Sequence, residues 1–495
     1  MPKKTNKAIE KVQKKTKKIE QWAYINLEKL EQKIETKYKE RPLNIDEDIS
    51  ESRVSTGSLC LDLITGGGIP SGRWVSFFGA ESSGKSTAMY LMMKALTQAN
   101  VPKKDAFDYE SSLATQYFAN IMGKPLEVVL GKRNDDDTEW VNKPLIRHYM
   151  PDYGEKAFYI IADKLDSMPD VITIKGKRYL RFTTKQVKDY KIPKEQIVFQ
   201  KDNYAFLNDD GPPIKYAIFI DSFPEMTPEA LMKDPTKNPM AQFARMFSEC
   251  IPLIRPRLKM KGATVIGVNH LRMKPMQLFG NPEYSPCGEH IKHATDIRYR
   301  VSSVGIPGGK GKIEEEVNLD GKVERYAYTK FKTDKNKTFP KYKECILRVC
   351  IEVEGESGYG IDPVYDTLTY LASTKQVTKR GDKIVILMEG GWSDIHLTWD
   401  DFRKLILRPT DTKLITKLLA NKSFKEYITN IKSKKELKNK QAKERNAKEL
   451  INKITKFLDI RSACFKQLQS GVSFKMAAKK AKEDKQEENE KGNEE

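Results

Sequence analysis

Nine consecutive residues, GAESSGKST (79–87), fit the pattern G-x-x-x-x-G-K-[ST]. Gly79 and Gly84 let the backbone curl until its N–H groups converge on one anion, with Ala80, Glu81, Ser82 and Ser83 between them. Lys85 brings a cation to the β- and γ-phosphates, Ser86 offers a hydroxyl to Mg²⁺, and Thr87 closes the loop. This spacing serves the binding of ATP with Mg²⁺ and says nothing about what the energy is used for. A second element, YAIFIDS (216–222), is an apolar run ending in Asp221, a carboxylate suited to hold Mg²⁺ through water. In DAFDYE (105–110) two more carboxylates, Asp108 and Glu110, close another apolar run, and either suits the polarisation of an attacking water. Strand alternation puts Asp108 on the same face as Glu110 and opposite Tyr109, so pattern alone does not choose between them.

Such groups need a scaffold that brings strand ends together. From about residue 53, short apolar strands alternate with helices: WVSFFG, STAMYLMMKAL, DAFDYE, YAIFIDS, ATVIGVN. The alternation predicts an α/β fold with a mostly parallel central sheet covered on both faces. The helix after the loop aims its N-terminal dipole at the phosphates. Between about 124 and 205 the rhythm changes to short β-like runs and turn residues, as in VITIKGKRYLRFTT and EQIVFQKDNYAFLNDDGPP. That texture predicts an inserted subdomain and not another βα unit. Residues 1–50 read as a basic amphipathic helix over 1–40, with Ile19, Ala23, Leu27, Leu30 and Ile34 at helical spacing, and a linker after it. Residues 361–470 read as a smaller C-terminal domain, and the charged tail, 471–495, is expected to be disordered.

A net charge of +20 suits a polyanionic partner, nucleic acid before others. No apolar run reaches the roughly 18 residues of a spanning helix, so no membrane role is expected. The basic N-terminus lacks the apolar stretch of a secretory signal. Six scattered cysteines without a CxxC pair read as thiols in a reducing compartment, and the cytoplasm is the expected location. Cys287, His290 and His293 have zinc-like spacing, yet no fourth ligand is evident.

STGSLCLDLITGGGIPSGRWVSFFGAESSGKST (55–87) resembles the entry to the ATPase core of RecA-type DNA strand-exchange recombinases, and the E-S-S-G-K filling is the part specific to that family. ESSLATQY (110–117) resembles the segment carrying the catalytic glutamate and, seven residues on, a tyrosine that stacks on adenine. The resemblance thus implies Glu110 as general base and Tyr117 as an adenine contact, while an acidic residue expected near Ala114 is missing. IDSFPEMTPEAL (220–231) resembles the family's magnesium strand and its following turn. PMAQFARMFSE (239–249) resembles the end of the first DNA-binding loop, with Met240 and Arg245 on matching positions. Residues 267–301 are similar to the second DNA-binding loop between its two strands, N-x-x-R-M-K and F-G-N-P-E being the specific parts. They imply DNA contacts by Arg272, Lys274, Phe279, Gly280 and Asn281, with charge for phosphates and an aromatic to wedge between bases. His270 stands where bacterial members carry glutamine and some phage members histidine, a position that senses the γ-phosphate. KNKTFPKYK (335–343) resembles K-N-K-x-x-x-P-F-K with one residue fewer, which implies that Lys335 and Lys337 reach the ATP of a neighbouring subunit. Lys292 and Arg298 match positions that sense the same nucleotide.

The resemblance covers about residues 53–123 and 206–360 and implies a RecA-like P-loop ATPase core over 51–360. What it implies for function is an ATP-dependent recombinase of the phage type, working in the host cytoplasm. It would polymerise as a helical filament on single-stranded DNA and exchange strands with double-stranded DNA. A single-strand-binding protein and a loader would be its companions, and the N-terminal helix would dock on the next subunit. Two other readings share the site. One is a ring-forming helicase of the same fold, which lacks the ESSGK and F-G-N-P-E segments. The other is an accessory filament protein that binds ATP and DNA without exchanging strands.

Overall fold

Apolar runs that end in a polar residue make strands whose ends can carry chemistry, and here they lie side by side in one ten-stranded sheet. The computed structural model describes residues 52–111, 116–134, 139–201, 203–273, 283–284, 287–387 and 395–407. The helix expected over 1–40, the linker after it, Ala114 and everything beyond 407 lie outside the described residues. In chain order the strands of the large sheet are β1 (Trp74–Gly79), β2 (Lys103–Asp108), β3 (Arg147–Tyr149), β4 (Tyr216–Asp221) and β5 (Ala263–His270), then β6 (Ile297–Val304), β7 (Ile313–Val317), β8 (Val323–Asn336), β9 (Glu344–Val353) and β10 (Glu356–Ile361). Across the sheet, β3, β2, β4, β5, β1 and β6 follow one another in parallel. From β6 the sheet continues antiparallel through β8, β9 and β10, with β7 paired to β8. The expected mostly parallel α/β sheet is therefore present, extended by an antiparallel wing.

Among the described residues, the helices that cover it include α1 (Leu59–Thr65), α2 (Lys85–Gln98), α3 (Gln116–Met122), α4 (Gly154–Ser167), α5 (Pro239–Lys261), α6 (Gly288–Ala294) and α7 (Pro363–Ser373). The period-2 alternation of strands sorts side chains between two layers. In β4, Tyr216, Ile218 and Ile220 join the core under α4, α5 and α6, whereas Ala217 and Phe219 join the core under α1, α2, α3 and α7. All six residues of β4 are buried, as a strand covered on both faces requires.

Two sequence expectations change. Within 124–205, β3 and α4 do form a βα unit of the central sheet: β3 pairs in parallel with β2, and α4 packs on α5. β3 was missed because RHY is three residues long and polar, with no apolar run to announce it. The following stretch, 170–208, builds a separate four-stranded sheet, and Lys132–Arg133 pairs with Trp140–Asn142 in a small hairpin. Further on, residues 361–407 do not stand apart from the ATPase core. Val364, Tyr370, Ile384, Leu397 and Phe402 are buried in the same apolar cluster as Phe77 and Met89.

The S-T-G-S-x-x-L-D segment has a structural meaning. Ser58 caps α1, and Asp62 turns back to accept hydrogen bonds from Thr56 N (2.8 Å) and Thr56 Oγ1 (2.6 Å). From 300 residues away, Asp366 on α7 accepts from Ser58 Oγ (2.8 Å), Leu59 N (2.8 Å) and Cys60 N (3.2 Å). A buried carboxylate thus satisfies the orphan donors of a helix start and clips α7 to the core. Asp366→Ala should lower the urea midpoint, with a loss of roughly 2–4 kcal/mol from buried donors left unpaired. A loss under about 0.5 kcal/mol would show that the clip contributes little.

Candidate functional site

The C-terminal ends of β1, β2, β4 and β5 meet at one level, which the strand registers fix. His270 lies opposite Gly79, and Asp221 lies opposite Asp108. Beyond Gly79 the chain turns through Ala80–Ser83 into α2. A Cβ at Gly79 would fall 2.1 Å from the carbonyl oxygen of Val301, so only glycine fits there. Gly84 starts α2 at φ 93 with no side chain capping the first turn. The N–H groups of that turn are therefore left for an anion, the ordinary arrangement of a phosphate loop. Lys85 is buried, and its ammonium donates to the carbonyl of Ala80 at 2.6 Å. Burial pulls its pKa down, while Glu110, Asp221 and Glu81 oppose that shift.

Ser86 Oγ donates to Asp221 Oδ2 at 3.1 Å. The other oxygen of Asp221, Oδ1, is buried without a hydrogen-bond partner among the described residues. Burial, followed by the nearby charge of Glu110, pushes the Asp221 carboxyl up to about 7. A hydroxyl and an unsatisfied carboxylate oxygen side by side, in a site whose acid is reluctant to ionise alone, form a donor set that suits Mg²⁺. Glu110 behaves oppositely. His270 Nε2 sits 2.9 Å from Glu110 Oε1, and that hydrogen bond, against burial, holds the carboxyl below its usual range. The same nitrogen lies 3.1 Å from Ser222 Oγ.

Asp108 and Glu110 have different partners. Strand pairing stops at Asp108, so alternation does not extend to Glu110. Asp108 is buried, lies 3.3 Å from His148 Nε2 on β3, and accepts from the backbone N–H of Glu110 at 3.0 Å. It is thereby occupied as a structural acceptor, and Glu110 alone of the two reaches His270.

On the other side of the loop is a cavity of about 410 Å³, lined by Thr87, Tyr117, Thr329, Val349 and Ile351 among others. Its volume suits a nucleoside. The Tyr117 hydroxyl lies 3.3 Å from Thr87 Oγ1. Thr329, Val349 and Ile351 come from β8 and β9 and were not singled out in the sequence; nothing in an antiparallel strand pattern marks a nucleotide wall. Ser222 was likewise passed over, although it directly follows Asp221.

The remaining site residues lie elsewhere. Met240 is 78 % exposed at the start of α5, and Arg245, one turn on, pairs with Glu249 at 2.8 Å. Arg272 is exposed on a short hairpin in which Arg272–Met273 pairs with Glu283–Tyr284. Lys274, Phe279, Gly280 and Asn281 lie outside the described residues. Lys335 and Lys337 are not at the phosphate loop of their own chain. Lys335 pairs with Arg298, which pairs with Ser76, three residues or roughly 10 Å of strand before Gly79. Lys335 Nζ donates to the carbonyl of Lys292 at 2.5 Å, and Lys337 Nζ lies 3.5 Å from Asp296. Asp296 is fully buried and is held by Arg255 through two hydrogen bonds of 2.7 Å. Two lysines, Arg255 and Arg298 therefore gather around Asp296, with the Arg298 guanidinium 4.2 Å from the centre of the Phe78 ring.

The raised pKa of Asp221 has a consequence for the protein without nucleotide or metal. The folded state holds this proton more tightly than the unfolded chain, so its stabilising effect is present below pH 4. That effect is lost as pH rises toward about 7. Asp221→Asn should flatten this slope and raise neutral-pH stability by roughly 1–3 kcal/mol. Thermal melts from pH 5 to 8 test this, and parallel slopes for both proteins would contradict it.

The RecA N-terminal domain family matches residues 25–139 and 214–354, slightly more than half of the chain. The chain is 26 % identical to Protein RecA of Aquifex pyrophilus over 343 residues, covering 69 % of this chain and 75 % of that protein. Protein RecA of Aquifex aeolicus is 26 % identical over 332 residues, covering 65 % and 74 % respectively. Protein RecA of Acinetobacter baumannii is 27 % identical over 298 residues, covering 60 % of this chain and 64 % of its own. With its matched segments supplying the phosphate loop, Glu110, Asp221 and His270, this chain belongs to the RecA family.

Proposed function

We propose that the protein is an ATP-dependent DNA recombinase of the phage type, which assembles as a filament on single-stranded DNA and exchanges strands with a homologous duplex. The observation that carries this reading is the position of His270. Its Nε2 is shared between Glu110 and Ser222, and the chain runs from it directly into the exposed hairpin at Arg272. A nucleotide-side contact and a basic surface segment are thus two residues apart.

In the proposed cycle the phosphate loop and the first turn of α2 grip the triphosphate, with Lys85 turning from Ala80 to the phosphate oxygens. Ser86 and Asp221 would hold Mg²⁺, which when bound neutralises charge on the phosphates. Glu110, kept ionised by His270, accepts the proton of the attacking water. A γ-phosphate competes for His270, which leaves Glu110 free for catalysis and moves the start of the DNA segment with the imidazole. Met240, Arg245 and Arg272, with Lys274, Phe279, Gly280 and Asn281, supply phosphate contacts and base wedging. Tyr117 packs on the adenine. Lys335 and Lys337, remote from their own loop, act on the ATP of the adjacent subunit.

The test is homologous strand invasion into a duplex by filaments formed with ATP. Lys85→Ala should abolish hydrolysis and invasion. Glu110→Ala should retain ATP and DNA binding while turnover falls 10²-fold or more. His270→Ala should uncouple the two, leaving ATP binding while DNA no longer stimulates hydrolysis. Well-formed filaments without invasion would favour the accessory reading, and directional unwinding by rings would favour the helicase.

Lys335 gives a separate handle. Burial, with Lys337 nearby, pulls its pKa down to about 8. A neighbour's phosphate favours the charged form, so ATP-dependent assembly takes up a proton and weakens as pH rises from 7 to 9. Light scattering should show this loss in the wild type and much less of it in Lys335→Arg. Equal pH dependence would remove Lys335 from the interface.

A further inference from the structure

Residues 140–213 lie between the two segments that match the family. Within them, the strands 170–174, 177–183, 204–208 and 199–201 form an antiparallel sheet in that order. Register puts Tyr179, Arg181, Tyr204, Phe206 and Phe199 on one face, because Arg181 lies opposite Phe206 and Phe206 opposite Phe199. The rings meet there: Phe199 stacks on Phe206 at 4.4 Å and takes Tyr179 edge-on at 5.5 Å. The Arg181 guanidinium lies 4.7 Å from the centre of the Tyr204 ring and is neutralised by Asp170 at 2.6 Å. Tyr179, Phe199 and Tyr204 are only partly covered. Lys177 and Lys201 share the same face and are exposed, and among the described residues neither has an ion-pair partner. Four further exposed lysines, Lys185, Lys188, Lys191 and Lys194, follow in the short helix Thr184–Asp189 and the turns after it.

We propose that this face is a second nucleic-acid surface, which takes a single strand by stacking bases on the partly exposed rings while Lys177 and Lys201 meet the phosphates. Aromatic rings on an antiparallel sheet accept any base through its π-face, and flanking cations follow the backbone. An acidic protein would use the lysines but gains nothing specific from the rings, and duplex DNA hides its base faces. The proposal rests on the reading that the chain works on nucleic acid. It adds a site whose occupancy does not need ATP, because none of its residues touches the phosphate loop.

Anisotropy of a labelled oligo-dT strand, and of a duplex of equal length, tests this on the full chain with and without ATP at several salt concentrations. Without ATP the wild type should bind the single strand. Lys177→Glu/Lys201→Glu should lower that affinity about tenfold or more and reduce the salt slope by roughly 1.4, with basal ATP hydrolysis unchanged. Tyr179→Leu should lower affinity about fivefold or more with the slope preserved, the signature of lost stacking. If the wild type binds single strands only with ATP, or the double variant binds like the wild type, the insertion site is overturned and the proposed function stands. A site that prefers the duplex overturns the stacking mode. Failure of the wild type to bind any DNA even with ATP overturns the functional reading itself.

Discussion

One imidazole nitrogen within reach of two partners sets the terms for this site. For His270 Nε2 to meet both Glu110 and Ser222, the ends of β2, β4 and β5 must stop at one level. Parallel pairing of strands buried on both faces provides that, because a slip of one residue would turn every apolar side chain to the wrong layer. Packing of the two cores and placement of the acid, the hydroxyl and the imidazole are therefore one constraint. The hydrogen bond from Leu271 N to the carbonyl of Gly79, 3.0 Å, ties the strand that carries His270 to the start of the phosphate loop.

Around that level the charges are arranged against their own solvation. Lys85 is pulled toward neutrality by burial, and Asp221 is pushed toward protonation by the same cause. Among the described residues, Asp221 keeps one oxygen without a hydrogen-bond partner. A site of this kind is poorly satisfied empty and well satisfied by a cation and a polyphosphate together, so ligand binding contributes to the stability of the fold.

The strand ends and the loop were legible in the sequence because their chemistry is local: glycine spacing, a lysine, an acid at the close of an apolar run. What escaped was whatever depends on pairing between distant segments. β3 has no hydrophobic signature, since an edge strand of three residues owes its place to its neighbour β2. Asp108 and Glu110 looked equivalent because alternation was extended past the last paired residue, and His148, which occupies Asp108, comes from that unrecognised strand. The walls of the cavity beside the phosphate loop, Thr329 and Val349, sit in antiparallel strands whose alternation reports burial and not what they face. Asp366 was equally invisible, being a cap supplied from the far end of the chain.

Among the described residues, both margins of the large sheet offer little open ladder. β3 offers only three residues, Arg147–Tyr149, to an incoming strand, and β10 lies under α3. Short or covered margins blunt the pairing of further strands, which is the usual route to edge-to-edge aggregation. In the proposed filament, the described part of each copy would meet its neighbour through side-chain surfaces. Their contacts can then loosen and re-form with the state of the nucleotide without opening a single backbone hydrogen bond of the sheet.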